Sequence, residues 1–239
     1  HAKNFKNLDQ IANAKSEIIN NINKDGSLVL NADDKFFKKL KKLALNKNLK
    51  IFSFSLNKTN ANVYIKKVVR LKNKFKVIVN INKKQKAFFL KYIFENHLKN
   101  ILCAIAVISI FKDIRKLNKN IFYSFAIPRG RGDISKIRIK GKIIKFIDES
   151  YNANPMSVNS AIKNFDLIKE NSTKKNIILG DMLELGKHSK KLHEKLAKII
   201  NRSKIDNVYV YGNNIKHTFK KIIQKKKGLI LKDKNAIIS

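Results

Sequence analysis

Ser27-Leu-Val-Leu-Asn-Ala-Asp-Asp-Lys-Phe-Phe-Lys-Lys-Leu-Lys-Lys-Leu-Ala-Leu-Asn-Lys-Asn-Leu-Lys-Ile-Phe-Ser-Phe54 decides the fold class. Its ends, Ser27–Leu30 and Ile51–Phe54, are short apolar runs of the kind that make buried strands. Between them Phe36, Phe37, Leu40, Leu43 and Ala44 return at helical spacing, with lysines filling the other face. Strand, helix and strand at this spacing make a βαβ unit, and βαβ units imply a parallel sheet.

Working outward, Leu8, Ile11, Ala12, Ala14, Ile18 and Ile19 predict a helix over 8–22, closed by the Asp25-Gly26 turn. Beyond Phe54 the period changes to alternation (Val63/Ile65, Phe75/Val77/Val79, Phe88/Leu90), which predicts a small antiparallel meander with one wet face. An apolar helix follows from about His97 to Phe111, then a second helical piece over 114–125. Pro128-Arg-Gly-Arg-Gly132 interrupts the pattern and is the expected domain junction, dividing the chain into 1–127 and 128–239.

After it, strands at 134–139 and 143–147 flank Gly141, and Asn154-Pro155 is a helix start with a good cap and a favoured first residue. Strand, helix and strand then alternate through 176–179, a helix capped by Ser189, 208–210, a helix at 215–223 and 229–231. Four or so strands separated by helices predict a doubly wound α/β domain.

Composition limits the function classes. The 239 residues allow one large domain or two modest ones, and 44% hydrophobic content is too rich for a disordered chain. A lone cysteine, Cys103, cannot form an internal disulfide, which fits a reducing cytoplasm. The most apolar stretch, Ile101–Phe111, is far below the roughly 20 residues a membrane-spanning helix needs. The net charge of +36 suggests a nucleic-acid binder, but only six of the 53 basic residues are arginine and the lysines cover the whole chain. Base readers favour Arg, and a dispersed Lys excess describes composition more than an interface, so no nucleic-acid partner is expected.

Four stretches, in order, resemble the Mur ligase family. They are His1-Ala-Lys-Asn-Phe5 with Ile11-Ala-Asn-Ala-Lys-Ser-Glu-Ile18; Val29-Leu-Asn-Ala-Asp-Asp34; Asn96-His-Leu-Lys-Asn100 leading into Ala104-Ile-Ala-Val107; and Gly130-Arg-Gly132 through Asp148-Glu-Ser-Tyr-Asn-Ala-Asn-Pro155 to Leu179-Gly-Asp-Met-Leu-Glu-Leu-Gly186. The last two strings are the most specific and point to the member that adds D-alanyl-D-alanine to UDP-N-acetylmuramoyl-tripeptide. The resemblance implies an α/β chain: the C-terminal part of a P-loop ATPase-like central domain, then a Rossmann-like doubly wound domain. It also implies a cytoplasmic, monomeric ATP- and Mg²⁺-dependent ligase working through an acyl phosphate. No Gly-x-x-x-x-Gly-Lys-[Ser/Thr] phosphate loop occurs. The resemblance places that loop N-terminal to His1, so the chain is expected to be an inactive fragment.

The resemblance also implies site residues. Lys15, carbamylated, would join His1 in holding Mg²⁺, because a carbamate supplies the hard oxygen that an ammonium lacks; otherwise Lys15 is a surface lysine. Asn100 would contact adenine, or simply cap its helix; the family usually has His-Asn where Asn96-His97 stands, so His97 takes no role. Arg131 between two glycines suits a phosphate contact. Asp148 or Glu149 would meet the ribose or metal at a strand end, where open α/β sheets bind ligands. Asn152, Asn154, Asp181 and Glu184 are expected near substrate, although Asn154 could be only a cap and the two acids could serve turns. His188 and His193, five apart, share no helix face, and no zinc site is expected.

Overall fold

The computed structural model describes residues 5, 7–125, 128–139, 141–168 and 173–233. They fall into two compact units, one of residues 7–125 and one of the described residues from 128 onward together with residue 5.

The first unit contains α1 (Leu8–Ser16), β1 (Ser27–Asn31), α2 (Phe37–Asn46), β2 (Lys50–Ser55), β3 (Val63–Arg70), β4 (Phe75–Ile81), β5 (Lys84–Leu90) and α3 (Glu95–Phe111). The βαβ reading of 27–54 holds: β1 and β2 pair in parallel from Ser27↔Lys50 to Asn31↔Phe54. The alternating segments are antiparallel as expected, yet they are no separate meander. Phe54↔Val63 and Ser55↔Tyr64 join β3 to β2 in parallel, so all five strands form one sheet in the order β1-β2-β3-β4-β5.

Alternation along the strands gives the β1–β2 part of that sheet two covered faces. Val29 and Phe54 belong to the core under α3, where Leu102 and Ile105 are almost fully buried. Leu28 and Ile51 pack the opposite face against Leu40 and Ala44 of α2 and Ile19. Each buried Leu or Ile of this kind contributes about 1.5–3 kcal/mol.

Two helical expectations are corrected. The segment 8–22 is α1 followed by a 3-10 turn at Glu17–Asn21, whose carbonyls at Ile19 and Asn20 accept from the Lys47 ammonium. The piece at 114–125 is a single 3-10 turn, Ile114–Lys116. There Asn118 competes for the backbone: its Oδ1 accepts from Asn120 N at 2.8 Å, turning the chain instead of continuing a helix.

The second unit opens with the expected hairpin around Gly141, made of β6 (Asp133–Ile139) and β7 (Lys142–Asp148). It is a two-stranded sheet of its own. The remaining elements are α4 (Pro155–Leu167), β8 (Asn176–Gly180), α5 (Ser189–Arg202), β9 (Asn207–Tyr211), α6 (Lys216–Lys221) and β10 (Lys227–Ile230). β8, β9 and β10 form a parallel sheet in the order β10-β9-β8. Ile162 of α4, Leu196 and Ile200 of α5, and Val208 and Val210 of β9 close its core. The mixed α/β class with parallel sheets is as expected.

Candidate nucleotide-contact turn and strand-end site

The turn at 130–132 is tied to the end of β7 by the backbone. Gly132 N donates to Asp148 O at 2.7 Å, and Tyr151 N donates to Gly130 O at 3.0 Å. Gly130 N donates to Asp133 Oδ1 at 2.7 Å. The approach requires glycine at Gly130: φ is +75°, and an added Cβ would lie 2.8 Å from the Tyr151 Cβ. These bonds place Arg131 beside Tyr151, with the guanidinium carbon 4.4 Å from the ring centroid. Both side chains are exposed.

The choice between Asp148 and Glu149, open in sequence, is narrowed by their partners. Asp148 is turned to its own backbone, its Oδ1 accepting from Ser150 N at 2.9 Å. Glu149 faces the Gly-Arg-Gly turn, where a Cβ on Gly132 would lie 3.0 Å from Glu149 Oε1. Desolvation, then the charges of Asp148 and Asp133, push the Glu149 carboxyl above the usual carboxylate range.

Asn154 is a helix cap. Its Oδ1 accepts from Met156 N and Ser157 N at 3.0 Å, and Ser157 Oγ accepts from Asn154 N, completing a capping box. Asn152 is exposed just before it, and its carbonyl accepts from Ser157 Oγ at 3.1 Å.

Asp181 follows β8 and braces the loop after β9. Its Oδ1 accepts from Ile215 N at 2.7 Å and its Oδ2 from Asn213 N at 3.0 Å. Burial would raise its carboxyl, but the backbone donors of Ile215, Asn214 and Asn213 outweigh it and hold the group below the usual range. Gly212 gives the carboxylate room: φ is +128°, and an added Cβ would sit 2.6 Å from Asp181 Cγ. Glu184 is exposed nearby in the chain with φ +58°.

His193 is fully buried and belongs to the scaffold. Its Nε2 accepts from Met182 N at 3.0 Å, and its Nδ1 donates to Ser189 O at 2.8 Å, which sets the tautomer. Ser189 is therefore the first helical residue rather than the cap, a position held by His188 without a side-chain bond.

In the first unit, Lys15 is exposed in the last turn of α1. His1 lies outside the described residues. Among the described residues no group of three or more His, Cys, Asp or Glu could hold a metal ion. Asn100 does not open its helix: α3 starts at Glu95, leaving Asn100 exposed in its second turn. The cap reading fails there because residues 95–99 are already helical. His97 is half-buried, with its pKa lowered by desolvation, against Phe125. Asp33 of the Val29–Asp34 string is a brace, accepting from Ser55 Oγ at 2.6 Å and Leu56 N at 2.8 Å.

Tyr151 and Gly212 escaped the reading of the sequence as site-shaping residues. An exposed aromatic just past a strand, in a chain that carries Gly-Arg-Gly upstream, was the available signal for Tyr151. Gly212 had none, since its need for glycine comes from Asp181.

Known proteins show the same organisation. Residues 1–108 match the Mur ligase middle domain, and residues 134–239 match the Mur ligase glutamate ligase domain. The chain is 30% identical over 226 residues to the UDP-N-acetylmuramoyl-tripeptide–D-alanyl-D-alanine ligase of Rickettsia prowazekii, covering 92% of this chain and 47% of the relative. The ligase of that name from Bacillus subtilis is 24% identical over 228 residues, covering 89% and 44%. Among solved structures, MurF of Thermotoga maritima in complex with ADP has a TM-score of 0.78 at 23% identity, covering 98% of this chain and 51% of that one. A crystal structure of MurF from Acinetobacter baumannii also reaches 0.78, at 22% identity with 94% and 47% covered. This chain thus spans about half the length of the curated relatives it matches. With both of its halves matching successive domains of one family, the chain belongs to the Mur ligase family.

Proposed function

We propose that the chain is part of an ATP-dependent ligase that adds D-alanyl-D-alanine to UDP-N-acetylmuramoyl-tripeptide during peptidoglycan synthesis. Residues 1–127 are the end of the central ATPase domain, and 128–239 are the C-terminal domain. The name shared by the Rickettsia and Bacillus relatives supports the substrate pair. The observation that carries the reading is the Arg131 turn: a guanidinium held on a glycine-flanked turn, in no ion pair among the described residues, with a carboxyl group close by. That combination fits a nucleotide, whose phosphates suit the Arg fork and whose ribose hydroxyls suit a carboxyl acceptor.

The chemistry is phosphoryl transfer followed by acyl transfer. The tripeptide's terminal carboxylate takes the γ-phosphoryl group of ATP, giving an acyl phosphate. The dipeptide amine attacks its carbonyl, and phosphate leaves from the tetrahedral intermediate. Arg131 stabilises charge on the phosphates, and such electrostatic stabilisation is usually the main catalytic contribution in this class. Glu149, facing the turn, is a better candidate than Asp148 for the nucleotide. Asn152 is the exposed candidate for substrate, and Glu184 a second one. Asn154 and Asp181 act by shaping those loops. Asn100 remains a candidate adenine contact.

Lys15 as a carbamate, with His1, would hold Mg²⁺ and supply hard anionic oxygen beside the phosphates. The described residues do not complete such a site by themselves, so no step is routed through the metal. The reaction is cytoplasmic, where ATP is supplied, and the working unit is a monomer.

The test joins this chain to the phosphate-loop half of a relative and measures phosphate release. Release should require ATP, the tripeptide precursor and D-alanyl-D-alanine together. Arg131→Ala should lower kcat by roughly 10²–10³, the scale for one lost charge-stabilising contact. Full activity in that variant would remove Arg131 from the site.

A further inference from the structure

We infer that Tyr151 is a positioning residue for Arg131: its ring holds the guanidinium in place while leaving the guanidinium's donors for a phosphate-bearing ligand. The inference rests on the proposed nucleotide contact of Arg131 and extends it to a second side chain.

Three carboxylates, Asp133, Asp148 and Glu149, stand in the same turn region, and any of them would be an obvious ion-pair partner for Arg131. None takes it. Asp133 accepts from Gly130 N, Asp148 accepts from Ser150 N, and Glu149 lies against Gly132. Among the described residues Arg131 makes no salt bridge and no side-chain hydrogen bond; its recorded side-chain partner is the Tyr151 ring, 4.4 Å away.

The two kinds of partner differ in their effect on a later ligand. A carboxylate fork would take up two guanidinium donors and neutralise the charge. A ring attracts the cation through its quadrupole and leaves both charge and donors in place.

The backbone makes this arrangement a built one. Tyr151 N donates to Gly130 O, and Gly132 N donates to Asp148 O, so the chain on both sides of Arg131 is bound to the segment that carries Tyr151. Glycine at Gly130 is what allows that approach, because a Cβ there would strike Tyr151. Tyr151 is 67% exposed, so core packing does not account for its place.

The test uses the 239-residue chain, ¹⁵N-labelled, and inorganic tripolyphosphate as the probe at constant ionic strength. A chain of net charge +36 attracts polyanions everywhere, so the readout must be residue-resolved. The Nε–Hε resonances of the six arginines provide it, with Arg131 assigned by its disappearance in Arg131→Lys. In the parent chain the Arg131 resonance should shift saturably, and its side-chain protons should show the upfield displacement of a ring current.

Tyr151→Phe should keep both properties, with Kd unchanged within about twofold, because the ring and not the hydroxyl acts. Tyr151→Leu should lose the ring-current displacement and weaken the Arg131-reported Kd about two- to fivefold, the ratio equivalent to an exposed cation–π contact. The other arginines should respond as before. Tyr151→Gln should repeat the loss, and intact amide spectra of either variant show that folding is preserved. An unchanged Kd at Arg131 in both ring-free variants overturns the positioning role and leaves the nucleotide contact standing. No response of Arg131 in the parent chain overturns the nucleotide contact, and the positioning role with it.

Discussion

Asp181 and Arg131 are both charged residues beside strand ends of the same unit, and both lie in or beside the strings that resemble a ligase. Their surroundings differ in one respect. The Asp181 carboxylate has its oxygens occupied by the backbone of a loop more than thirty residues downstream, and Gly212 is shaped around it. Arg131 is held by backbone bonds of its neighbours and by a ring, with its own donors unengaged among the described residues. A charged group whose hydrogen-bonding capacity is filled by the chain is part of the scaffold. One that is held in place but left open is available to a ligand.

The comparison is most exposed to a change at Gly212. Gly212→Ala forces a side chain into a backbone region essentially confined to glycine and onto the Asp181 carboxylate. It should destabilise the unit by about 3 kcal/mol, lowering its melting transition by roughly 10–15 °C. Circular dichroism during heating checks this. A loss below about 1 kcal/mol would mean that the loop is not braced as described.

Asp181→Asn should cost less, about 1.5–3 kcal/mol at neutral pH, the range for hydrogen bonds to a charged group. The pH dependence carries the sign. Because the folded protein holds this carboxyl below the ordinary range, its contribution is present above the unfolded value of about 4 and lost as pH falls through the folded one. Urea titrations of parent and variant should therefore diverge at pH 7 and converge in strong acid. A gap that stays constant with pH would assign the effect to shape and not to charge.

The smallest effect is expected at Glu149, where the sign reverses. Its folded carboxyl is raised, so ionisation costs stability: the relative contribution is full below the ordinary glutamate value of about 4.3 and is lost as pH rises through the folded value. Glu149→Gln should raise the melting temperature by no more than about 2 °C at pH 7 and leave it unchanged near pH 3. A fall at pH 7 would mean that the carboxylate makes a stabilising contact, which would move Glu149 to the scaffold side beside Asp181.

Much of this was legible in sequence because it is local. Periodicity at 27–54 marked the βαβ unit, Asn154-Pro155 marked the start of α4, and Gly141 marked the hairpin. The candidate site was legible only as a set of stretches. Arg131 stands on its turn as expected, but Asn100 lies in the second turn of α3 and not at its start, because the helix begins earlier, at Glu95, on residues without apolar spacing. The piece at 114–125 kept helical spacing while Asn118 turned the backbone. Spacing reports which face a residue would occupy, whereas competing side-chain bonds decide whether the helix forms at all.

The sequence by itself determined the strands and most helices, the parallel character of 27–54, and membership strings dense enough to identify a family. Each is carried by short stretches whose residues are close neighbours in sequence. Tertiary structure decided that β3–β5 extend the parallel sheet, because Phe54↔Val63 pairing is a choice between edges that both segments could make. It also decided that Glu149 and not Asp148 faces the turn, that Asp181 braces the loop after β9, and that Arg131 meets Tyr151 in preference to three nearby carboxylates. These are competitions for one partner among groups distant in sequence. Their outcome depends on which donors and acceptors the fold has already brought within reach and which it has already filled.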